Sequence, residues 1–281
     1  WVRDLFNSYV ADITPETVMA AVRQRVAGSS PPLVRVTSKQ DVAGGEAAVL
    51  AAFARAQTVA ATAPVARVAQ NFAYTDFGTP GRVVADTMVA EHGIRRIRFA
   101  NNVMLNIKRT DFDAGTILVG LQVDGGNLLA TREDPTRVAL ASAFTLGGLE
   151  AHSVDDLRTI LAGRTVSSGL SAGTDNFGSS AATARADLLL RAQLMAAFVT
   201  HPGYRLEGLA LLRRVLPQQY AAIDATPGAV IGRDVGAILA NDDPRFATPS
   251  LDTMLALDWA GLRAAMADSL ANGAIEIGLV G

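Results

Sequence analysis

The chain holds three histidines, His92, His152 and His201, and they are the residues from which a metal or acid–base site would have to be built. Glu91–His92 is the second half of an H-x-x-E-H pattern. There, two histidines on one helical face hold zinc and a nearby glutamate activates water. Met88 occupies the first histidine position, and no two of the three histidines are spaced to complete the pattern elsewhere. Glu150 and His152 in GGLEAHS stand at i and i+2, so on a helix their side chains diverge. A surface turn at a helix N-terminus accounts for them. Asp155–Asp156 and Asp242–Asp243 are adjacent carboxylates that point apart and fall by expected helix starts or turns. Favourable placement on a helix dipole is enough to explain the first pair.

Two further stretches invite a binding role. GLSAGTDNFGSS (169–180) is Gly-rich but lacks the Lys-Ser/Thr ending of a P-loop and its strand–helix setting, so it reads as a sheet turn. RRIR (95–98) is a small basic cluster. Alternation puts Arg96 and Arg98 on one face and Arg95 on the other, which is a solvated sheet face and not a nucleic-acid surface. No Ser–His–Asp arrangement is identifiable. No catalytic, cofactor-binding or metal-binding residue is therefore assigned.

Composition bounds the class. Apolar residues make up 49% and charged residues 19%, as in a soluble globular protein. No apolar run reaches the roughly 18–20 residues of a membrane span. The formal charge of −2 gives no pull towards nucleic acid. Basic charge is almost all Arg, with Lys39 and Lys108 the exceptions, which we read as a genomic bias. With no cysteine, disulfides and Cys-ligated zinc are excluded. WVRDLFNSYV opens inside an amphipathic helical pattern, and AIEIGLVG stops at the end of an apolar strand. The expectation is a fragment of a longer polypeptide, with no signal peptide in view.

The positioning elements follow from periodicity. DITPETVMAAVRQRVAG predicts a helix with Thr14 as N-cap, Pro15 in the first turn, Gly28 as stop, and Val18, Val22 and Val26 on one face. PPLVRVTS (31–38) predicts a short strand, and an Ala-rich helix is expected over about 45–57. Pro and Gly in ATAPVA and TDFGTPGRV mark a connector with a short strand or two. From residue 94 the signal strengthens. Ile97 and Phe99 alternate with Arg96 and Arg98, and Asn101–Asn102 suits a tight turn. Val103, Leu105 and Ile107 share a face, and after DFDAG so do Ile117, Val119, Leu121 and Val123. This predicts three strands in antiparallel succession with one buried face. Helices are then expected over 138–149, from Ser153 with Asp156 in a capping box, over 183–200, from Tyr204 until Pro217 kinks or ends it, and in two shorter pieces. IEIGLV closes as a strand. The expected fold class is α+β: an antiparallel sheet with helices packed on one face, preceded by part of a domain of the same type. The expected boundaries are 1–70 for that remnant, 71–93 for a connector and 94–281 for the main domain.

The hairpin RFANNVMLNIKRTDF…TILVGLQVDGG resembles the opening of domains in the insulinase/pitrilysin family of zinc metallopeptidases, the inverzincins. AIEIGLVG is similar to the strand that closes those domains. SVDDLRTILAGRTVSSGLSAGTDNF resembles the segment after their zinc helix, and HPGYR also looks familial. The resemblance spans roughly 94–281, and more loosely 1–93. It implies a metallopeptidase-like α/β roll. In active members H-x-x-E-H lies on the helix after the third strand, here 138–149, which contains no histidine; its nearest glutamate is Glu150. The resemblance therefore implies an inactive third domain behind the end of a second, in a bacterial four-domain enzyme. It implies no cofactor in this segment, and zinc in the first domain of the parent protein. The implied partners are an active peptidase half, in the same chain or as a partner subunit, and peptide substrates, with no nucleic acid and no membrane span. The implied location is the periplasm. The implied role is chamber wall and hinge. The alternatives are a non-catalytic partner subunit of a separate active peptidase, or a structural role like that of the core proteins of respiratory complexes.

Overall fold

The apolar–polar alternation from residue 83 onward builds a seven-stranded sheet. In this computed structural model the described residues are 9–10, 13–27, 33–38, 40–60 and 70–281. Contacts divide the chain into two units, Trp1–Arg67 and Val68–Gly281.

The first unit contains α1 (Pro15–Ala27) and α2 (Gly45–Thr58). Thr14 caps α1 as expected: the Thr17 backbone N–H donates to Thr14 Oγ1 at 3.2 Å. The expected strand at 31–38 does not form over the described part, 33–38, and Leu33 is 97% exposed. A strand needs a ladder partner, and none of the described residues supplies one. Val18 and Val22 are exposed, and α2 has no buried residue. Of WVRDLFNSYV only Tyr9 and Val10 fall among the described residues, both helical. Gly28, ATAPVA and the side chain of Val26 lie outside them.

In the second unit β1 (Val83–Val89) pairs antiparallel with β2 (Ile94–Phe99), and β2 with β3 (Val103–Lys108). Asn102 takes φ +64° at the β2–β3 turn, the left-handed conformation that Asn tolerates. The expected antiparallel succession ends there. β4 (Thr116–Asp124) is separated from β3 by the closing strand β7 (Ile275–Val280), which runs parallel to β3 and antiparallel to β4. The sheet is therefore mixed. The register explains the insertion: Leu105, Ile277 and Leu121 stand side by side, as do Ile107, Leu279 and Val119. Placing apolar β7 centrally extends one hydrophobic face across three strands. β6 (Asn176–Ala184) and the short β5 (Ser171–Ala172) complete the sheet, as GLSAGTDNFGSS suggested.

Helices follow in a block. α3 (Val154–Ile160) carries the expected capping box: Asp156 N–H donates to Ser153 Oγ, and Ser153 N–H to Asp156 Oδ2. α4 (Leu188–Thr200) starts later than expected because β6 continues to Ala184. α5 (Leu206–Ile223) runs through Pro217 instead of ending there. Pro217 and Arg213, whose carbonyl loses the helical N–H donor at 217, are both exposed. α6 (Pro227–Leu239), α7 (Leu251–Ala256) and α8 (Trp259–Asn272) complete the block. The core joins Val119, Leu121, Val123 and Phe177 of the sheet to Leu194, Phe198, Trp259, Leu262 and Met266 of the helices. Ile117, Val119 and Leu121 face that core, as the alternation requires.

Candidate functional site

The segment after β4 is where the family resemblance would place a zinc helix. It is not an α-helix. Residues 135–140 are turns and Ala141–Gly147 is a 3₁₀ helix, held by i→i−3 bonds such as Ala143 N–H to Leu140 O at 2.9 Å. Val138, Leu140, Ala141, Ala143, Phe144 and Leu149 are all buried, so the segment is core on several sides at once. The carbonyls at its end are taken by another segment: Gly147 O accepts from Arg205 N–H and Gly148 O from Gly203 N–H. Thr145, Gly147 and Gly148 are poor helix formers in any case. α5 lies so close that a Cβ on Gly208 would overlap the Leu146 carbonyl.

His152 is 3% exposed, and burial lowers its pKa. Its Nε2 accepts the Ala73 N–H at 2.9 Å, while Nδ1 has no partner. The neutral ring therefore carries its proton on Nδ1. Phe72 stacks on the ring, and Tyr74 fits between His152 and His201, with centroids 5.9 Å and 4.9 Å away. The Tyr74 hydroxyl accepts the Ala151 N–H. Two of the three histidines thus meet around Tyr74, while His92 sits in the exposed turn between β1 and β2. The arrangement does not fit zinc. His152 Nε2 is occupied as an acceptor, and no three His, Asp or Glu side chains converge among the described residues.

The other singled-out groups are structural. Asp155 pairs with Arg158 on the surface. Asp243 is buried and bonded by Arg245 Nε and Nη2, with Arg132 Nη2 at 2.9 Å; the Arg245 hydrogen bonds hold its carboxyl far below the usual range. Asp242 lies beside it with φ +57°. Arg95 pairs with Asp86 across β1 and β2. Two participants carried little sequence signal: Tyr74 in the irregular stretch before β1, and Arg191. The signal for Arg191 was its position as a lone charge in the apolar run LLLRAQLM, now 1% exposed.

The most site-like feature is a recess of about 800 Å³ on the helix-bearing face. Leu188, Ala192 and Val199 of α4 form one wall, and Leu105, Ile277 and Leu279 of the sheet form the floor. It exists because the helical cover stops short. Within the second unit α8 packs on β4 and α4 on β6, and no comparable packing joins one of its described helices to β1 or β2, where Val83, Val84 and Met88 are exposed.

No family model matches this sequence, and no curated protein matches it. Solved structures do match the fold, and they include proteases and a peptidase M16 inactive domain. The periplasmic protease PqqL from Escherichia coli is 18% identical with a TM-score of 0.63, over 84% of this chain and 26% of PqqL. The ferredoxin protease FusC, in complex with Arabidopsis ferredoxin, is 16% identical with a TM-score of 0.61, over 83% of this chain and 26% of FusC. A peptidase M16 inactive domain from Pseudomonas fluorescens is 17% identical with a TM-score of 0.55, over 67% of this chain and 46% of that one. The chain therefore spans about a quarter of the length of PqqL and of FusC. Its α+β architecture is that of M16 peptidase domains.

Proposed function

We propose that this chain is a non-catalytic segment of a zinc-dependent metallopeptidase of the insulinase/pitrilysin type, forming chamber wall and hinge. The observation that carries the reading is the buried 3₁₀ segment Ala141–Gly147, which stands where a zinc helix would be and offers no metal ligand. The inactive M16 domain among the structural neighbours supports it. In this reading residues 94–281 are the inactive third domain, 71–93 the connector and 1–70 the end of a second domain. Zinc and water activation belong to the first domain of the parent protein, which acts on peptides. The periplasm is the proposed compartment, supported by the fold's likeness to PqqL, a periplasmic protease.

The test is zinc content and chelator-sensitive peptide cleavage, measured on this 281-residue chain and on the full-length gene product. Zinc and cleavage confined to the full-length protein are expected. Stoichiometric zinc or cleavage in the 281-residue chain overturns the proposal. If neither preparation binds zinc or cleaves, the chain is a partner subunit of a separate peptidase or a structural component.

A further inference from the structure

The recess beside α4 lies open to solvent. Its floor residues Leu105, Ile277 and Leu279 are only half-buried, and Leu189 on the α4 side is 70% exposed, so an incoming molecule meets these side chains directly. Its volume of about 800 Å³ falls within the roughly 300–1,000 Å³ of small-molecule sites. The strand register gives it a direction. β6 ends at Ala184 beside Thr116, next to the end of β7, so Arg185 stands towards the Leu279 end. From there α4 runs from Leu188 to Thr200, a rise of about 18 Å. At the opposite end of the floor Val103 pairs with Ile275, and Asn101 precedes it in the turn. The recess is therefore a trough, apolar along its length.

Its charge is one-sided. Among the described residues that line it, Arg185 is the single ionisable group. Arg185 is exposed, and its guanidinium has no hydrogen-bond or ion-pair partner among the described residues. Asp187, two residues on, is engaged elsewhere: its carboxylate accepts from the Thr165 N–H at 2.8 Å and from Arg164 at 3.3 Å. An apolar trough with one free cation at its end is complementary to a molecule with an aliphatic tail and one anionic head. The tail gains from every methylene it buries. A cationic head would be repelled by Arg185, and a polar ligand would lose its water to groups that cannot hydrogen-bond.

We propose that this recess binds a long-chain monocarboxylate, a fatty-acid anion of lauryl to myristyl length. Its tail lies along Leu105, Ile277 and α4, and its carboxylate meets Arg185. The site stands independently of the peptidase reading and of any zinc centre.

The probes are laurate and lauryl trimethylammonium, titrated calorimetrically below their micellar concentrations into the 281-residue chain and into the full-length gene product. Saturable one-to-one binding of laurate is expected in both, with the ammonium analogue bound about tenfold more weakly or not at all. R185Q should weaken laurate about fivefold, the upper end for an exposed ion pair. A192W, which sets an indole in the trough from an exposed position on α4, should abolish binding. Should A192W fail to fold, hydrogen exchange on the unmodified protein decides the matter: laurate should slow the amides of β3 and β7 and leave those of β5 unchanged. The proposal is overturned by no saturable binding, by equal affinity for the ammonium analogue, or by laurate binding that R185Q and A192W leave intact. Binding by the 281-residue chain alone also overturns it, because the remaining polypeptide then fills the recess.

Discussion

The Nε2 atom of His152 accepts the backbone N–H of Ala73 at 2.9 Å across 79 positions of sequence. This bond, with the Tyr74 hydroxyl on Ala151 N–H, straps the stretch before β1 onto the turn that precedes α3. Only the neutral ring can hold it, because a proton on Nε2 would face the Ala73 N–H. Burial is the leading cause of the lowered pKa; Asp156 opposes the shift, Arg205 adds to it, and Tyr74 and His201 complete the surroundings. The folded pKa lies below the unfolded 6.5, so the unfolded chain binds the proton first. Stability should be full above about pH 6.5 and fall as pH drops towards the folded value. Denaturant unfolding between pH 7.5 and 5 checks this. H152Q should lose that slope, and a wild-type curve flat over the same range would refute the strap.

The buried Asp243 carboxylate predicts a different pH window. Its pKa is depressed by the hydrogen bonds from Arg245, then by the Arg245 backbone N–H and the charge of Arg132. A depressed acid contributes stability above the unfolded carboxyl pKa of about 4 and loses it as pH falls through the folded value. D243N should lower the melting temperature at pH 7 and approach the wild type in strong acid. D155N, which breaks an exposed i,i+3 pair, should change little. Melting curves of both variants from pH 2 to 7 decide it, and equal effects would sink the assignment.

How much of this was legible before the structure depended on whether the information was local. The alternation of Val103, Leu105 and Ile107, the Asn102 turn and the Ser153–Asp156 capping box all act within a few residues, and each appears where expected. The insertion of β7 between β3 and β4 is a pairing between distant segments, and the alternation of Ile117–Val123 is the same whichever neighbour it has. Residues 138–149 were misjudged for a related reason. An apolar run buried on several sides has no periodicity to separate an α-helix from a 3₁₀ turn. What settled it is non-local: the Gly203 and Arg205 N–H groups take its carbonyls. The spacing of the three histidines was readable at once; the meeting of His152 and His201 around Tyr74 was not, because nothing in sequence links positions 74, 152 and 201.

The contact between α5 and the 3₁₀ segment predicts a severe single substitution. A methyl group at Gly208 would occupy the space of the Leu146 carbonyl, which is backbone and cannot rotate away. G208A should cost about 3 kcal/mol, the upper end for overpacking, against the gain in helix propensity that Ala brings elsewhere. G228A in the first turn of α6, where an added Cβ meets nothing within 4 Å, is the control and should be neutral or mildly stabilising. Urea unfolding of both variants tests the pair. A G208A protein as stable as wild type would mean that α5 does not approach Leu146 so closely.

The uneven helical cover predicts uneven opening of the sheet. β4 and β6 lie beneath α8 and α4, with Val119, Val123, Phe177 and Thr183 almost fully buried. β1 is exposed along nearly its whole length, and among the described residues it is an edge strand paired with β2 alone. Amide protection follows the free energy of the local opening that exposes each hydrogen bond. Hydrogen exchange should therefore be slowest in β4, β7 and β6, and faster by about two orders of magnitude in β1 and β2, a gap of roughly 3 kcal/mol in opening free energy. The same gradient bears on the proposed wall-and-hinge role, since the readily opened strands border the apolar recess floored by Leu105 and Ile277. In the full-length gene product, the reading of this segment as chamber wall expects the β1–β2 amides to gain protection once the rest of the enzyme covers that face. Unchanged fast exchange there would place β1 and β2 at an outer surface and remove them from the wall.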